Sequence, residues 1–204
     1  MLSNTNTKTC KTTGALYSYK KIVTSKTKGA RSVISADFDG DGFPDLATAS
    51  SRGHSVSVFR NLATASTKTN RFGPRVVIDD EAYGAWSVWS ADLDSDGDLD
   101  IISVSSNDDT MGWYKNNGKG SFGSEILITE QCICGMSVVA ADFDNDGHLD
   151  LLVSMMNSNS IAWYRNTDGK GAFSSEIFVD TDANKAMDAI AVDINNDGWM
   201  DIVA

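Results

Sequence analysis

Four copies of an aspartate-rich loop, about 50 residues apart, constrain this chain more than any other feature. Each copy follows the pattern D-x-[D/N]-x-D-G-x-x-D, and the first aspartates fall at positions 37, 92, 142 and 193. The loops read ADFDGDGFPDLA (36–47), ADLDSDGDLDII (91–102), ADFDNDGHLDLL (141–152) and VDINNDGWMDIV (192–203). A fixed period of this length indicates a repeat architecture, in which each repeat is one supersecondary unit.

A second element repeats in phase with the loops. GWYKNNGKGSFGSEILIT (112–129) matches AWYRNTDGKGAFSSEIFVD (162–180), and a weaker copy is split between SVFRN (57–61) and RFGPRVVID (71–79). Because two separate elements share one period, we interpret them as parts of one repeating unit rather than chance similarity.

Each full unit contains four short segments rich in β-branched and aromatic residues, bounded by Gly, Asn and Asp. The predicted strands are Trp86–Ala91, Asp100–Val104, Met111–Asn116 and Glu125–Ile128 in the second unit, and Met136–Ala141, Asp150–Ser154, Ser160–Asn166 and Glu176–Val179 in the third. No window of helical length has a 3.6-residue apolar period. Four strands per unit predict an all-β chain of four-stranded β-propeller blades, a partial or small propeller with about four repeats.

The repeat frame predicts the domain boundaries. Residues 1–28 would hold the last strand of a preceding blade (16–23), blades 1 to 3 would span 29–80, 81–130 and 131–181, and 182–204 would begin a truncated blade 4. An open stack of blades exposes a pairing edge at each end. Three arrangements stay open: a fragment of a larger propeller, an irregular four-bladed ring, or self-association with a second copy through the open edges.

The loop pattern predicts up to four Ca²⁺ sites, because Ca²⁺ takes 6–8 oxygen ligands and alternate residues of a tight loop can turn carboxylates inward. Positions 1, 3, 5 and 9 would supply side-chain oxygens and position 7 a backbone carbonyl. The predicted ligands are Asp37, Asp39, Asp41, Phe43 and Asp45; Asp92, Asp94, Asp96, Asp98 and Asp100; Asp142, Asp144, Asp146, His148 and Asp150; and Asp193, Asn195, Asp197, Trp199 and Asp201. Asn195 removes one charge, so we expect the fourth site to be the weakest.

The loop pattern does not fit an EF-hand, a simple turn or a magnesium site. An EF-hand requires a bidentate Glu at position 12, but Thr48, Ser103, Val153 and Ala204 stand there. Simple Asp- and Gly-rich turns need only one or two such residues, whereas unpaired clustered carboxylates repel one another. Mg²⁺ fits such all-protein cages poorly. We therefore expect structural calcium that stabilises the hairpin between the first two strands of each blade.

Composition narrows the function classes. The net charge is −11, and 16 of the 28 acidic residues lie in the four loops, so the acidity is local. There is no basic stripe typical of nucleic-acid binding, no apolar run long enough to span a membrane, and no signal-peptide core near the start. Cys10, Cys132 and Cys134 make neither a disulfide framework nor a zinc site, so we expect structural or free thiols.

The repeated Ala-Asp-Phe-Asp-x-Asp-Gly and Asp-Leu pattern resembles the FG-GAP/VCBS repeat family of integrin-α-like propellers. Phe72-Gly73 and Phe122-Gly123 stand where that family has its Phe-Gly pair, and the segments 113–116 and 163–166 resemble its third-strand motif. The resemblance covers about residues 30–204. It implies a seven- or eight-bladed propeller in full-length relatives, calcium on one face, ligand contact on the other, and an extracellular or cell-surface location.

The face opposite the calcium loops would then bind a ligand. Aromatic residues beside small polar groups suit a sugar or a peptide, and the candidate contacts are Arg31, His54, Tyr83, Trp86 and Met136. We expect a non-catalytic binding or adhesion module for a protein or glycan ligand. The alternatives are lectin-type carbohydrate binding, a purely structural spacer, and the propeller of a larger metal-dependent lyase or hydrolase. Both histidines lack an evident catalytic partner, so we expect no enzyme activity from this chain.

Overall fold

A computed structural model describes residues 23–24, 27–64 and 72–204, and all regular structure within them is β. The strands are β1 (Ala30–Ala36), β2 (Asp45–Ser50), β3 (Ser55–Phe59), β4 (Val76–Asp79), β5 (Ala85–Ala91), β6 (Asp100–Ser105), β7 (Thr110–Tyr114), β8 (Ile126–Thr129), β9 (Gly135–Ala141), β10 (Asp150–Met155), β11 (Ser160–Tyr164), β12 (Ile177–Asp180), β13 (Ile190–Val192) and β14 (Asp201–Val203). The all-β prediction is therefore confirmed. The strand predicted at 16–23 lies outside the described residues, apart from Val23, which is not in a strand.

The strands form three four-stranded antiparallel sheets and one two-stranded sheet. Each larger sheet is a simple meander with the order β1-β2-β3-β4, β5-β6-β7-β8 or β9-β10-β11-β12, and β13 pairs with β14. We call these sheets blades 1 to 4. They match the predicted strand pattern and are consistent with FG-GAP propeller-like blades.

The third strands of blades 2 and 3 end earlier than predicted. In blade 2 it ends at Tyr114 rather than Asn116, and in blade 3 at Tyr164 rather than Asn166. Asn116 instead forms an isolated bridge with Phe122. The chain leaves the regular ladder there because the asparagine is held by hydrogen bonds to neighbouring loops, described below.

The blades stack face to face, so their middle strands are buried on both sides. Every residue of β6 and β10 is buried, which explains why these strands read as continuous apolar or small runs rather than as an alternation. One apolar cluster joins blades 1 and 2, a second joins blades 2 and 3 around Trp113, and a third joins blade 3 to blade 4 around Leu152. The fourth strands β4, β8 and β12 lie at the edges and are largely exposed.

The first strands of the blades lie next to one another, and a β-bulge interrupts each of the first three. The pairing register skips Arg31 in β1, Trp86 in β5 and Met136 in β9. A bulge adds one residue to a strand and re-aims its side chain. The three sequence-equivalent bulge residues thus project at the same level of the stack.

The described residues do not show a closed propeller. No helix among them is long and apolar enough to cross a membrane.

Candidate metal centres

Each aspartate-rich loop connects the first and second strands of its blade, so the loops repeat at one end of the stack. In three of them the carboxylates at positions 1, 3 and 5 converge, with ligand atoms within 4.8 Å of one another. These triads are Asp37, Asp39 and Asp41; Asp92, Asp94 and Asp96; and Asp142, Asp144 and Asp146. Each triad can hold a metal ion, and all nine residues were predicted as ligands.

The same hydrogen bonds shape every loop. In the second loop, Asp92 accepts hydrogen bonds from the backbone amides of Asp96 (3.1 Å) and Gly97 (2.9 Å), and Asp96 accepts one from the amide of Asp98 (3.0 Å). The other three loops contain equivalent bonds within about 0.1 Å of these lengths. Hydrogen bonds from the backbone amides therefore hold the loop carboxylates in place without the help of an ion.

Two loop positions adopt left-handed backbone conformations. Position 6 is always glycine, with φ between 85° and 93°. Position 4 is Gly40, Ser95, Asn145 or Asn196, with φ between 56° and 70°. Alternating left-handed residues curl the loop around its carboxylates, and Gly and Asn tolerate this conformation best. Position 6 was predicted from the sequence, whereas position 4 was not, although Gly or Asn stands at position 4 in three of the four copies.

The aspartate at position 9 lies deeper than the triad. Asp100 is fully buried, and its carboxylate accepts hydrogen bonds from the amides of Asn116 (2.8 Å) and Leu93 (3.2 Å). Asp45 and Asp150 are held in the same way. These carboxylates join the loop to the end of the third strand. Because each oxygen has a second lone pair, their predicted role as metal ligands stays a prediction.

Burial sets the proton affinity of these inner carboxylates. It raises the pKa of Asp100 to about 6, because the charged form loses its hydration, while the amides of Asn116 and Leu93 oppose this shift. Burial also raises the pKa of Asp45 and of Asp150. In the triad of blade 3, by contrast, the amide of His148 and the guanidinium of Arg165 hold the pKa of Asp146 below its usual value. Burial therefore disfavours the charged form of the inner carboxylates, and a nearby positive charge would favour it.

A repeated geometry links the first loop to blade 2 and the second loop to blade 3. The side-chain amide of Asn116 donates to the carbonyl of Phe38 in the first loop at 2.8 Å and to that of Leu99 at 3.0 Å. Asn166 donates likewise to Leu93 in the second loop at 2.9 Å. Both asparagines are buried. Neighbouring loops are thus joined across the blade interfaces by an asparagine whose backbone amide binds the position-9 aspartate of its own blade.

A basic side chain contacts each triad. Arg60 pairs with Asp39, and Lys115 pairs with Asp94 and, at 3.1 Å, with Asp96. In blade 3, Arg165 binds Asp144 and Asp146. The sequence analysis did not assign a role to these residues, although each immediately precedes the repeated asparagine.

Some triad oxygens nevertheless have no hydrogen-bond partner. Asp94 Oδ1 and Asp144 Oδ1 are buried and unpartnered within the part of the chain that the structure describes. An unsatisfied buried carboxylate oxygen is unfavourable, and a hard cation takes exactly this kind of donor. The three triads therefore fit a divalent ion such as Ca²⁺ in their chemistry.

The fourth loop differs from the others. It has the same backbone hydrogen bonds, but the amide of Asn195 donates to Asp197 at 2.9 Å. A hydrogen bond between side chains thus replaces part of the carboxylate clustering seen in the first three loops. The predicted carbonyl ligands at position 7, namely Phe43, Asp98, His148 and Trp199, stay predictions.

Three of the five predicted ligand contacts lie together. Arg31, Trp86 and Met136, the bulge residues, line one groove of about 900 Å³ between the first strands, and Met187 of blade 4 extends it. The Arg31 guanidinium carbon lies 4.0 Å from the centre of the Trp86 ring, a cation–π contact. The groove therefore combines the Arg31 cation with two indole rings, three thioethers and two carboxylates, from Trp86, Trp89, Met136, Met187, Met200, Asp142 and Asp188.

The other two predicted contacts form a separate pair. The rings of His54 and Tyr83 lie 5.2 Å apart, and His54 Nδ1 accepts a hydrogen bond from the amide of Gly84 at 3.1 Å. His54 therefore helps to join blade 1 to blade 2, whereas Tyr83 is exposed. The sequence did not predict that the groove residues and the His54–Tyr83 pair would lie apart, because it did not predict the bulges.

Stacked four-stranded meanders with aspartate-rich loops define a repeat protein with several candidate metal centres. The model of the FG-GAP-like repeat matches residues 37–103, 92–153 and 152–204, which cover most of the chain. This protein belongs to the FG-GAP-like repeat family, which confirms the predicted resemblance.

The similarity to a solved structure is weak. A solved structure described as the Tc holotoxin pore of Photorhabdus luminescens, with a TccC3 mutation, is 20% identical with a TM-score of 0.48. The match covers 85% of this chain and 8% of that one, so this chain spans a small part of that protein's length. A comparison with curated proteins gave no match.

Proposed function

We propose that this chain is a non-catalytic binding module whose blades are stabilised by Ca²⁺. The observation that carries the proposal is the threefold repetition of one aspartate triad in one hydrogen-bonded loop. A single acidic turn is common on protein surfaces. Three equivalent triads, each with buried oxygens and left-handed glycine at the same position, indicate a shared ligand.

Calcium suits these loops better than its main competitors. The groups that converge in each triad are carboxylates, with no imidazole or thiolate atom among them in the described residues, which disfavours zinc and copper. The loops are wrapped by their own amides and offer several oxygens each, as Ca²⁺ requires, whereas Mg²⁺ prefers to keep much of its water. In this proposal the ion neutralises each triad and holds the first two strands of the blade together.

The groove at the bulge residues is the proposed ligand site. Met136 is almost fully buried and supports the groove wall, while Arg31 is exposed and Trp86 is partly exposed. A cation beside an aromatic ring suits an acidic peptide segment or an acidic sugar. The proposed ligand is accordingly a protein or a glycan, and the family membership supports an extracellular or cell-surface location.

Thermal unfolding followed by circular dichroism tests the calcium proposal. We expect a β-sheet spectrum and a melting temperature that rises as Ca²⁺ is titrated into EDTA-treated protein up to a few millimolar, because an ion that binds only the native state stabilises it. Mg²⁺ at equal concentration should have a smaller effect. If the chain gives a β-sheet spectrum and its melting temperature does not change as Ca²⁺ is added, the proposal is refuted.

The ligand site requires its own experiment. A glycan array and an acidic-peptide array, each probed with the chain and with Trp86→Ala, distinguish lectin-type binding from peptide binding. The control is Phe178→Ala, because Phe178 is an exposed aromatic residue on the edge strand β12 and does not line the groove. If neither array shows binding that depends on Trp86, the groove is not the ligand site.

A further inference from the structure

We infer that Arg60, Lys115 and Arg165 are tethered cations, which neutralise the triads and compete with the divalent ion for them. This inference rests on the proposed function and extends it from the ligands to the residues that set the affinity. Its basis is a contact that recurs in three blades.

The position of the basic residue follows from strand geometry. It stands between a buried aromatic residue and a buried asparagine, as in Tyr114-Lys115-Asn116. Because neighbouring residues of an extended segment point to opposite sides, the basic side chain emerges on the side away from the core. In every described blade with a third strand, that side faces the blade's own aspartate triad.

The triads need this positive charge. The side chain of Asp39 is fully buried, and that of Asp94 is only 8% exposed. A buried carboxylate is costly unless it is paired, and three clustered carboxylates also repel one another. One guanidinium or ammonium group relieves part of this repulsion. It leaves Asp94 Oδ1 and Asp144 Oδ1 unpartnered, so the neutralisation is incomplete.

The basic side chains can also leave. The side chains of Arg60, Lys115 and Arg165 are 57%, 45% and 45% exposed, whereas the position-3 carboxylates that they bind are 0%, 8% and 22% exposed. A divalent ion that binds the same oxygens would lie a few ångströms from the side-chain cation, and like charges at this distance repel. Binding of the ion therefore requires the basic side chain to withdraw into solvent.

The basic side chains therefore stabilise the calcium-free loops and lower their affinity for calcium. With little calcium, the tethered cations keep the loops folded. With more calcium, part of the binding free energy is used to displace them, so the apparent affinity is lower than the ligands alone would give. Removing the basic side chains should tighten calcium binding and destabilise the calcium-free chain.

The test compares two triple variants of the full chain. The first is Arg60→Gln, Lys115→Gln and Arg165→Gln. The second carries the same change in charge at exposed basic residues at the opposite end of the blades, namely Lys28→Gln, Arg52→Gln and Lys185→Gln. Calcium binding is measured by isothermal titration calorimetry, and stability by thermal melts in EDTA. A circular dichroism spectrum first establishes that each variant folds, and Lys115→Gln alone replaces the triple variant if the latter does not.

We expect the first variant to reach half-saturation at a calcium concentration about 5- to 50-fold lower than the control variant, and to melt at a lower temperature in EDTA. Equal or weaker calcium binding by the first variant would overturn the inference. If neither the unsubstituted chain nor the first variant binds calcium, the proposed function fails and the inference fails with it. Calcium binding by the first variant alone would support the inference even though the unsubstituted chain does not bind.

Discussion

The asparagine that joins neighbouring loops offers the sharpest test of how the blades are held together. Asn166 is fully buried, and its side-chain amide donates to the carbonyls of Leu93 at 2.9 Å and Leu149 at 3.2 Å. Asn166→Ala removes both bonds and leaves the carbonyl groups unsatisfied. The backbone bond from residue 166 to Asp150 is retained, because alanine keeps the amide.

The expected loss follows from these two bonds. A net hydrogen bond contributes about 0.5–1.5 kcal/mol, and an unsatisfied buried acceptor costs about 1–3 kcal/mol. We therefore expect Asn166→Ala to lower the free energy of unfolding by about 2–4 kcal/mol. For a chain of this size, that corresponds to a fall in melting temperature of about 4–16 °C.

Urea unfolding, in EDTA and again in excess Ca²⁺, measures this loss. The matched control is Asn157→Ala, an exposed residue in the turn between β10 and β11, which should change stability by less than about 0.5 kcal/mol. Asn166→Asp keeps the size but loses the donor, and it should be at least as destabilising. A loss below about 0.5 kcal/mol for Asn166→Ala would refute the claim that these bonds couple the blades.

Three further predictions concern single residues. Asn195→Asp restores the missing carboxylate, so calorimetry should show a tighter fourth calcium site; unchanged binding would show that this loop does not bind calcium. Ser95→Gly places at position 4 of the second loop the glycine that the first loop has at Gly40. Because Ser95 has a left-handed φ of 59°, which glycine adopts more easily, urea unfolding should show a stability gain of about 0.5–1 kcal/mol. A loss of stability would contradict the strain argument. Burial raises the pKa of Cys132 to about 12, so its thiol stays protonated at pH 8, and mass spectrometry should find native-state alkylation by iodoacetamide at Cys134 long before Cys132, with equal rates in urea.

The repeat period made most of the fold predictable. The repeat every 50 or so residues placed the eight strands of the second and third sheets with bounds correct to about two residues, because the Gly, Asn and Asp turns that flank each strand recur in register. The triads were predictable for the same reason. Closure into a ring was not, because it depends on how far each blade is rotated against the next, and no local pattern encodes that angle.

The contacts between side chains were harder to predict. Asn116 and Lys115 lie beside a motif recognised from sequence, yet their partners lie at Phe38, 78 residues away, and at Asp94. These contacts depend on how the blades stack and on where the third strand ends, so a local sequence pattern does not predict them. The bulges at Arg31 and Trp86 were also unforeseen, since a bulge is a change of register that leaves no change in composition.

The bulges divide the stack into a constant end and a variable end. At the loop end, all blades keep nearly the same residues, since each must fold the same turn. At the bulge position the blades carry Arg31, Trp86, Met136 and, by sequence equivalence, Met187. A bulge residue stands outside the ladder pairing, so its identity can change without disturbing a neighbouring pair. Repeat duplication thus supplies a row of independently replaceable positions on a fixed frame, and new binding specificities can be selected there one residue at a time.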